Sequence, residues 1–393
     1  MQISSETIHF IEENYRTDVR MLALQAKKYP QVDMAMAVVQ IAGRQIAEAK
    51  IPSWFCTEGL LYPKHLSMEQ CSSEVTALYK ASLVDGNSFA DLTGGFGIDC
   101  SFLSRKFRKA DYVERQEELC ELAKHNFPLL GLNIDVHHED GVEYLKQMAP
   151  VDCLFLDPAR RDNHGGKTVA ISDCEPDVSA LEELLVEKGC MVMIKLSPML
   201  DLSLALKTLK HIREVHIVSV NNECKELLLI LQKKSVPSEI PIHCEQILNS
   251  GEHQHYIFTL EQEHTSDCTL TEEVSTFLYE PNASILKGGA YRLLTTTYPV
   301  KKLHVNSHLY TSSILVQDFP GRIFQVKAIS GFGKKELKGF LQSMVKANIT
   351  IRNFPSSVVE LRKRLKLKEG GEDYLFATTL ADGSKVLIKC RKI

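Results

Sequence analysis

Residues 91–99 read Asp91-Leu92-Thr93-Gly94-Gly95-Phe96-Gly97-Ile98-Asp99. Ser88-Phe89-Ala90 ahead of this run reads as a short strand, and Cys100 to Leu103 behind it has helical character. The order is strand, glycine turn, helix. Gly94, Gly95 and Gly97 let the backbone reach positive φ and approach a ligand closely. A helix starting near Gly97 aims its free N–H groups at that ligand. Ordinary α/β packing also produces glycine-rich turns, so the stretch alone leaves both readings open.

Downstream, strands and helices alternate. Ala110 to Glu114, Ile134 to His138, Val151 to Asp157 and Cys190 to Leu196 read as strands. Glu117 to Phe127, Val142 to Met148 and Leu181 to Glu187 read as helices; Leu202 to His211, Val215 to Val220 and Leu227 to Leu231 complete the set. Largely apolar strands alternating with helices predict a parallel sheet covered on both faces. Right-handed crossovers then put the strands' C-terminal ends on one edge, where ligands bind. Acids fall on that edge: Asp91, Glu114, Asp140 and Asp157 follow successive strands. A single acid there is often only a helix N-cap. Four in order predict a nucleoside-type ligand, with Glu114, about 20 residues past the turn, accepting from both ribose hydroxyls. Asp140 is placed to accept from an adenine amino group.

A dinucleotide would call for G-x-G-x-x-G. Gly95 and Gly97 supply two glycines, but position 100 is Cys. The Asp91 carboxylate would repel a pyrophosphate and attract a sulfonium and an α-amino group. The pattern therefore suits S-adenosylmethionine better than a nicotinamide dinucleotide, and a nicotinamide-dependent oxidoreductase is the weaker reading.

The ordered set D-L-T-G-G-F-G, Glu114, Asp140-Gly141 and Leu154-Phe155-Leu156-Asp157-Pro158-Ala159-Arg160-Arg161 resembles the class I S-adenosylmethionine-dependent methyltransferases over about residues 70–235. The resemblance implies a Rossmann-like α/β sheet and cofactor contacts from Asp91, Thr93, Gly94, Gly95, Gly97, Glu114, Asp140 and Gly141. It places catalysis at Asp157, Pro158 and Arg160. Asp157-Pro158-Ala159-Arg160 resembles the D/N-P-P-Y motif of nucleic-acid amino-methyltransferases and the D-P-P-R of some RNA methyltransferases. Ala159 departs from both, and Arg160 replaces the aromatic that would stack on a base. From Tyr279 onward the runs K-G-G-A-Y-R-L-L (from Lys287), H-V-N-S-H-L-Y-T (from His304) and L-R-K-R-L-K-L-K-E-G-G (from Leu361) resemble the ferredoxin-like and THUMP-like segments of a bacterial methyltransferase group. That comparison implies RNA binding.

The fold expected is a Rossmann-like methyltransferase sheet with an N-terminal helical region and a small α+β C-terminal domain. The boundaries are 1–75 helical region, 76–235 methyltransferase domain, 236–321 linker strands and ferredoxin-like segment, and 322–393 THUMP-like basic domain. Ala-rich apolar runs between Met21 and Ala42 predict short helices, with Trp54, Phe55 and Tyr62 as buried anchors. A further helix is expected over Met68–Leu83, capped by Ser67 with Gln70. Residues 235–278 read as a strand pair around Asn249-Ser250-Gly251, with no chemistry. In the tail, helices are expected over Lys334–Ala347 and from Val358 to about Leu367. The second buries Val358, Leu361 and Leu365, and a hairpin turns at Asp382-Gly383.

Composition limits the alternatives. No apolar run approaches the roughly 20 residues of a membrane span, and the N-terminus lacks a signal-peptide pattern. Eleven scattered cysteines without a C-x-x-C pair fit a reducing cytoplasm. His243, His253, His255 and His264 have no convincing ligand spacing, so they read as surface residues and no metal is expected. Residues 322–393 hold 16 Lys and Arg against 6 Asp and Glu, whereas the whole chain carries −4. A basic tail on an acidic body points to a polyanion, here tRNA or rRNA, with Arg362, Lys363, Arg364 and Lys366 neutralising phosphates. A solvated lysine-rich face is the plain alternative.

For an amine acceptor, a hydrogen bond to Asp157 would aim the lone pair at the methyl, and Arg160 or Arg161 would meet a phosphate. Asp157, Lys195 and Glu226 would instead suit a ribose hydroxyl. Cys153, inside a strand, is no nucleophile for carbon methylation. The expectation is an RNA methyltransferase acting on a base amino group; the alternative is an inactive module that binds cofactor and RNA.

Overall fold

The structure, a computed structural model, describes residues 3–160, 170–234, 237–342 and 344–393. Arg161 lies outside the described residues, as does the side chain of Arg160. The chain divides into two compact units, one formed by 1–213 with 227–236, the other by 214–226 with 237–393.

In the first unit, helices α1 (Ser5–Asn14), α2 (Val19–Leu24) and α3 (Met34–Lys50) precede the sheet. Ser4, Asp18 and Asp33 cap them by accepting from backbone N–H groups. Trp54 is buried, its ring set edge-on to Phe96 at 5.0 Å, and Tyr62 packs against Gly43. The helix expected over 68–83 is two helices, His65–Gln70 and α4 (Glu74–Ser82). Cys71 turns extended between them, and Ser73, not Ser67, caps the second by accepting from the Thr76 N–H at 3.3 Å.

The sheet comprises β1 (Ser88–Asp91), β2 (Lys109–Glu114), β3 (Asp135–His138), β4 (Val151–Leu156), β5 (Gly189–Leu196), β6 (Ile212–Val220) and β7 (Glu223–Leu231). Within the first unit the order is β3-β2-β1-β4-β5-β7. All are parallel except β7, which runs antiparallel to β5. The apolar runs alone predicted a parallel sheet. The reversal comes from Asn221 and Asn222, both at positive φ, where two residues turn the chain and leave no room for a crossover helix. Phe89, Tyr112, Phe127 and Phe155 fill the core on which β1 sits.

In the second unit, β6 pairs in parallel with β8 (Ile242–Ile247), and β8 pairs antiparallel with β9 (His253–Phe258). His253, His255 and His264 are exposed, as expected. His243 is not a free surface residue: it is half-buried and its ring stacks on His216 at 4.5 Å. Parallel pairing puts the two opposite one another, which strand spacing in the sequence does not reveal.

Among the described residues a second sheet holds seven strands, β10 (Phe277–Pro281), β11 (Lys301–Lys302), β12 (Tyr310–Ser312), β13 (Gly321–Ser330), β14 (Asn348–Arg352), β15 (Asp373–Thr379) and β16 (Lys385–Lys392). Their order is β11-β12-β10-β13-β16-β15-β14. Residues on both sides of position 321 thus share one sheet. Buried Glu280 at the end of β10 pairs with Arg322 and, at 2.7 Å, with Arg352. The helix expected over 334–347 ends at Phe340. The helix Val358–Leu365 carries the expected Ser357–Glu360 capping box and buries Leu361 and Leu365. Val358, in its first turn, is 36% exposed rather than buried.

Candidate active site

β1 ends at Asp91, which is 1% exposed. Its Oδ1 accepts from the Thr93 N–H at 3.0 Å. Burial pushes its carboxyl well above the usual carboxylate range; the Thr93 N–H pulls it down, while Asp99, Asp157 and Glu114 push it further up. A buried carboxylate among other acids is relieved by a cation, so a sulfonium or an α-amino group fits this position.

The glycine turn that follows is required by contact. A Cβ on Gly94 would lie 2.2 Å from the Tyr112 ring, and Gly97 sits at φ +86°. The Tyr112 hydroxyl donates to the Gly95 carbonyl at 2.5 Å, and the Gly94 N–H donates to Val113 O at 2.9 Å, fixing the turn over the end of β2. There Glu114 receives the Gly95 N–H on Oε2 at 2.9 Å and the Gln116 N–H on Oε1 at 2.8 Å. Each of its oxygens keeps a second lone pair for a ribose hydroxyl.

Asp140 is exposed and caps the helix Gly141–Gln147, its Oδ1 accepting from Val142 and Glu143. Its structural role is therefore that cap, in which its second oxygen takes no part. A Cβ on Gly141 would fall 2.1 Å from the Leu92 carbonyl oxygen, so the turn after β3 packs directly on the end of β1. Asp91, Glu114 and Gly141 thus converge on one sheet edge.

Asp157 follows β4 on the same edge. Thr93 Oγ1 accepts the Asp157 N–H at 2.6 Å, which locks the loop after β4 to the glycine turn. Pro158 is buried, and Ala159-Arg160 pairs antiparallel with Cys174-Glu175. One Asp157 oxygen, Oδ2, is held by Lys195 from the end of β5. Lys195 also reaches Asp99 Oδ2 at 3.4 Å, and Asp99 Oδ1 meets Lys80 of α4 at 3.2 Å. The Ser72 hydroxyl donates to Asp99 Oδ2 at 2.7 Å, and Lys80 is fully buried. Burial alone would raise the Asp99 carboxyl; Lys80 and Lys195 more than offset this and hold it below the usual carboxylate range.

Sequence reasoning put neither Lys80, Asp99 nor Ser72 in the site and gave Lys195 only a minor part. The signal was present: single lysines inside V-T-A-L-Y-K-A and M-V-M-I-K-L, and an acid closing the glycine run. A lone lysine in an apolar stretch needs a buried partner, but that partner lies in a distant segment. Glu226 is buried in the second unit. Cys153 is buried within β4, as expected, where desolvation pushes its thiol up to about 12.

Residues 277–320 match a ferredoxin-like domain model, and residues 321–392 match a THUMP domain-like model. A solved "putative methyltransferase" from Porphyromonas gingivalis W83 is 36% identical, with 100% of both chains covered and a TM-score of 0.87. The chain belongs to the class I S-adenosylmethionine-dependent methyltransferases with a C-terminal THUMP-like domain. The cofactor of this family is S-adenosylmethionine, and the cradle around buried Asp91 has the charge and glycine contacts to fit it. More distant likenesses include the Pyrococcus abyssi tRNA (uracil-54, C5)-methyltransferase with S-adenosyl-L-homocysteine, at 14% identity, TM-score 0.30, 44% of this chain and 40% of that one. TrmN from Thermus thermophilus stands at 13%, TM-score 0.32, 40% and 47%. At such distances neither carries an argument about this methyltransferase. No curated protein matches the chain.

In the THUMP-like segment, Lys363, Arg364 and Lys366 are exposed around the end of the helix Val358–Leu365. Arg364 lies over the Phe332 ring at 5.2 Å. Arg362 is half-buried and donates to the Ala347 carbonyl at 3.2 Å, so part of its role is structural.

Proposed function

We propose that this methyltransferase transfers the methyl group of S-adenosylmethionine to a tRNA or rRNA in the cytoplasm, on an exocyclic amino group of a base. The observation that carries the reading is the bond from the Asp157 N–H to Thr93 Oγ1, which sets an acceptor-binding carboxylate beside the cofactor turn. Bound at Asp91 and Glu114, S-adenosylmethionine would supply an electrophilic methyl group to the acceptor nitrogen; the electron pair of its carbon–sulfur bond would stay on sulfur, and the N–H proton would pass to Asp157 or water. The protein's part is alignment: Asp91 and Glu114 hold the cofactor, and Asp157 accepts from the amino group and directs its lone pair. The THUMP-like match and the exposed cations Lys363, Arg364 and Lys366 support RNA as the polyanion. Eleven free cysteines support a reducing compartment, and among the described residues no helix is long and apolar enough to cross a membrane.

A second reading is favoured by Lys195. An ammonium touching both Asp157 and Asp99 beside the acceptor stabilises a developing oxyanion, which suits a ribose hydroxyl. One experiment separates the readings. RNA from a deletion strain is incubated with the purified protein and methyl-tritiated S-adenosylmethionine, then digested to nucleosides. Label in a base-methylated nucleoside supports the first reading, and label in a 2′-O-methyl nucleoside the second. Cofactor binding without label in any RNA would leave an inactive binding module.

A further inference from the structure

The second unit carries a cluster of titratable groups that methyl transfer does not use. Glu214 and His216 lie two residues apart on β6, so both side chains leave the same face. His243 on β8 stands opposite His216 in the parallel register. His216 is almost fully buried; Glu214 and His243 are half-buried. The two rings stack at 4.5 Å with 11° between their planes. Glu214 Oε1 stands 3.6 Å from His216 Nε2, and Oε2 stands 3.9 Å from His243 Nε2. Both separations are longer than a hydrogen bond.

We propose that Glu214, His216 and His243 bind a divalent transition-metal ion of the zinc class. One ligand atom from each lies within 4.8 Å of the others. A zinc ion with bonds of about 2.0–2.1 Å sets its tetrahedral ligands about 3.3 Å apart; the carboxylate–imidazole separations of 3.6 and 3.9 Å approach this, and on binding one ring must turn out of the stack so that both Nε2 lone pairs meet the ion. Two imidazoles and a carboxylate are a donor set for borderline cations and a poor one for magnesium or calcium. Three protein ligands leave the remaining coordination to water. Nearby Glu245 accepts from His253 Nδ1 at 2.5 Å and His255 Nδ1 at 2.9 Å, and the His255 ring stands edge-on to His243 at 5.5 Å. Those contacts fix the histidines around the site without drawing on its three ligands. The ion ties β6 to β8, so its binding free energy adds to the stability of that pair.

The full-length protein, stripped with EDTA and desalted, is titrated with zinc chloride by calorimetry and with cobalt(II) by absorption. One equivalent of zinc per chain is expected, with a rise in melting temperature and cobalt d–d bands of nitrogen–oxygen ligation. Removing a residue that only hydrogen-bonds a metal ligand weakens metal sites by roughly 10–100-fold, so losing a direct ligand in His243→Gln or Glu214→Gln should weaken zinc by at least about 100-fold. His264→Ala, at an exposed histidine elsewhere, should bind as wild type. No saturable heat, a thiolate-to-cobalt charge-transfer band, or undiminished affinity in both ligand variants overturns the proposal. The metal-free melts of both variants establish folding, and half-exposed Glu214→Gln carries the test if His243→Gln does not fold.

Discussion

Replacing Gly141 by alanine tests how the cofactor edge is built. The new Cβ would meet the Leu92 carbonyl oxygen at 2.1 Å, whereas ordinary contact begins at 3.4 Å, so the two segments must separate by about 1 Å. Neither can retreat cheaply. The Leu92 N–H is bonded to Phe155 O at 3.0 Å and the Gly94 N–H to Val113 O at 2.9 Å. On the other side, Asp140 is tied to the first turn of its helix. Overpacking costs about 1–3 kcal/mol, and a broken backbone bond adds about 1 kcal/mol, so about 2–4 kcal/mol is expected. Part of that shift passes to Asp91 and Thr93, which flank Leu92. S-adenosylmethionine affinity should then fall at least about tenfold, or about 1.4 kcal/mol. Gly131→Ala is the control: φ is +70° with nothing within 4 Å of its Cβ, so only backbone strain of about 1–2 kcal/mol applies. Urea unfolding by circular dichroism gives stability and calorimetry gives affinity. If Gly141→Ala is as stable as Gly131→Ala and binds cofactor like wild type, the close approach of the β1 and β3 ends is wrong.

The raised carboxyl of Asp91 has a pH signature. Its folded pKa lies above the unfolded one, so ionisation as pH rises through the folded value destabilises the free protein, and a bound cation reverses this. Affinity should fall as pH is lowered through that folded value, and binding should release protons, seen as a buffer-dependent calorimetric heat; Asp91→Asn should bind weakly and lose both effects. Thr93→Val removes the acceptor of the Asp157 N–H and should cost about 1–3 kcal/mol of stability. It should also lower kcat for RNA methylation more than it raises KM for cofactor, and equal changes in both would count against a positioning role. Lys195→Met should leave cofactor affinity within about threefold while cutting methyl transfer at least about 100-fold, and unimpaired turnover would remove Lys195 from the chemistry. Changing Lys363, Arg364 and Lys366 together to alanine should weaken RNA binding and reduce the slope of log affinity against log salt by about 2–3; an unchanged slope in filter binding would place the RNA elsewhere.

Much of this protein was legible in one dimension because its signals are local. Apolar runs of strand length, helices between them and an acid after each of the first four strands fix an alternating α/β chain, since burial and backbone hydrogen bonding act over a few residues. The glycines of Gly94–Gly97 announced a close approach, and the Ser357–Glu360 cap announced a helix. Only the folded chain decided what each acid does. Asp140 spends one oxygen on its own helix, whereas Glu114 holds the glycine turn. Lys80, Asp99 and Lys195 come from three segments, so no spacing rule joins them; burial forces each charge to find a partner, and the sheet order chooses which. The same holds for His216 and His243, which become neighbours only because β6 and β8 lie side by side in parallel.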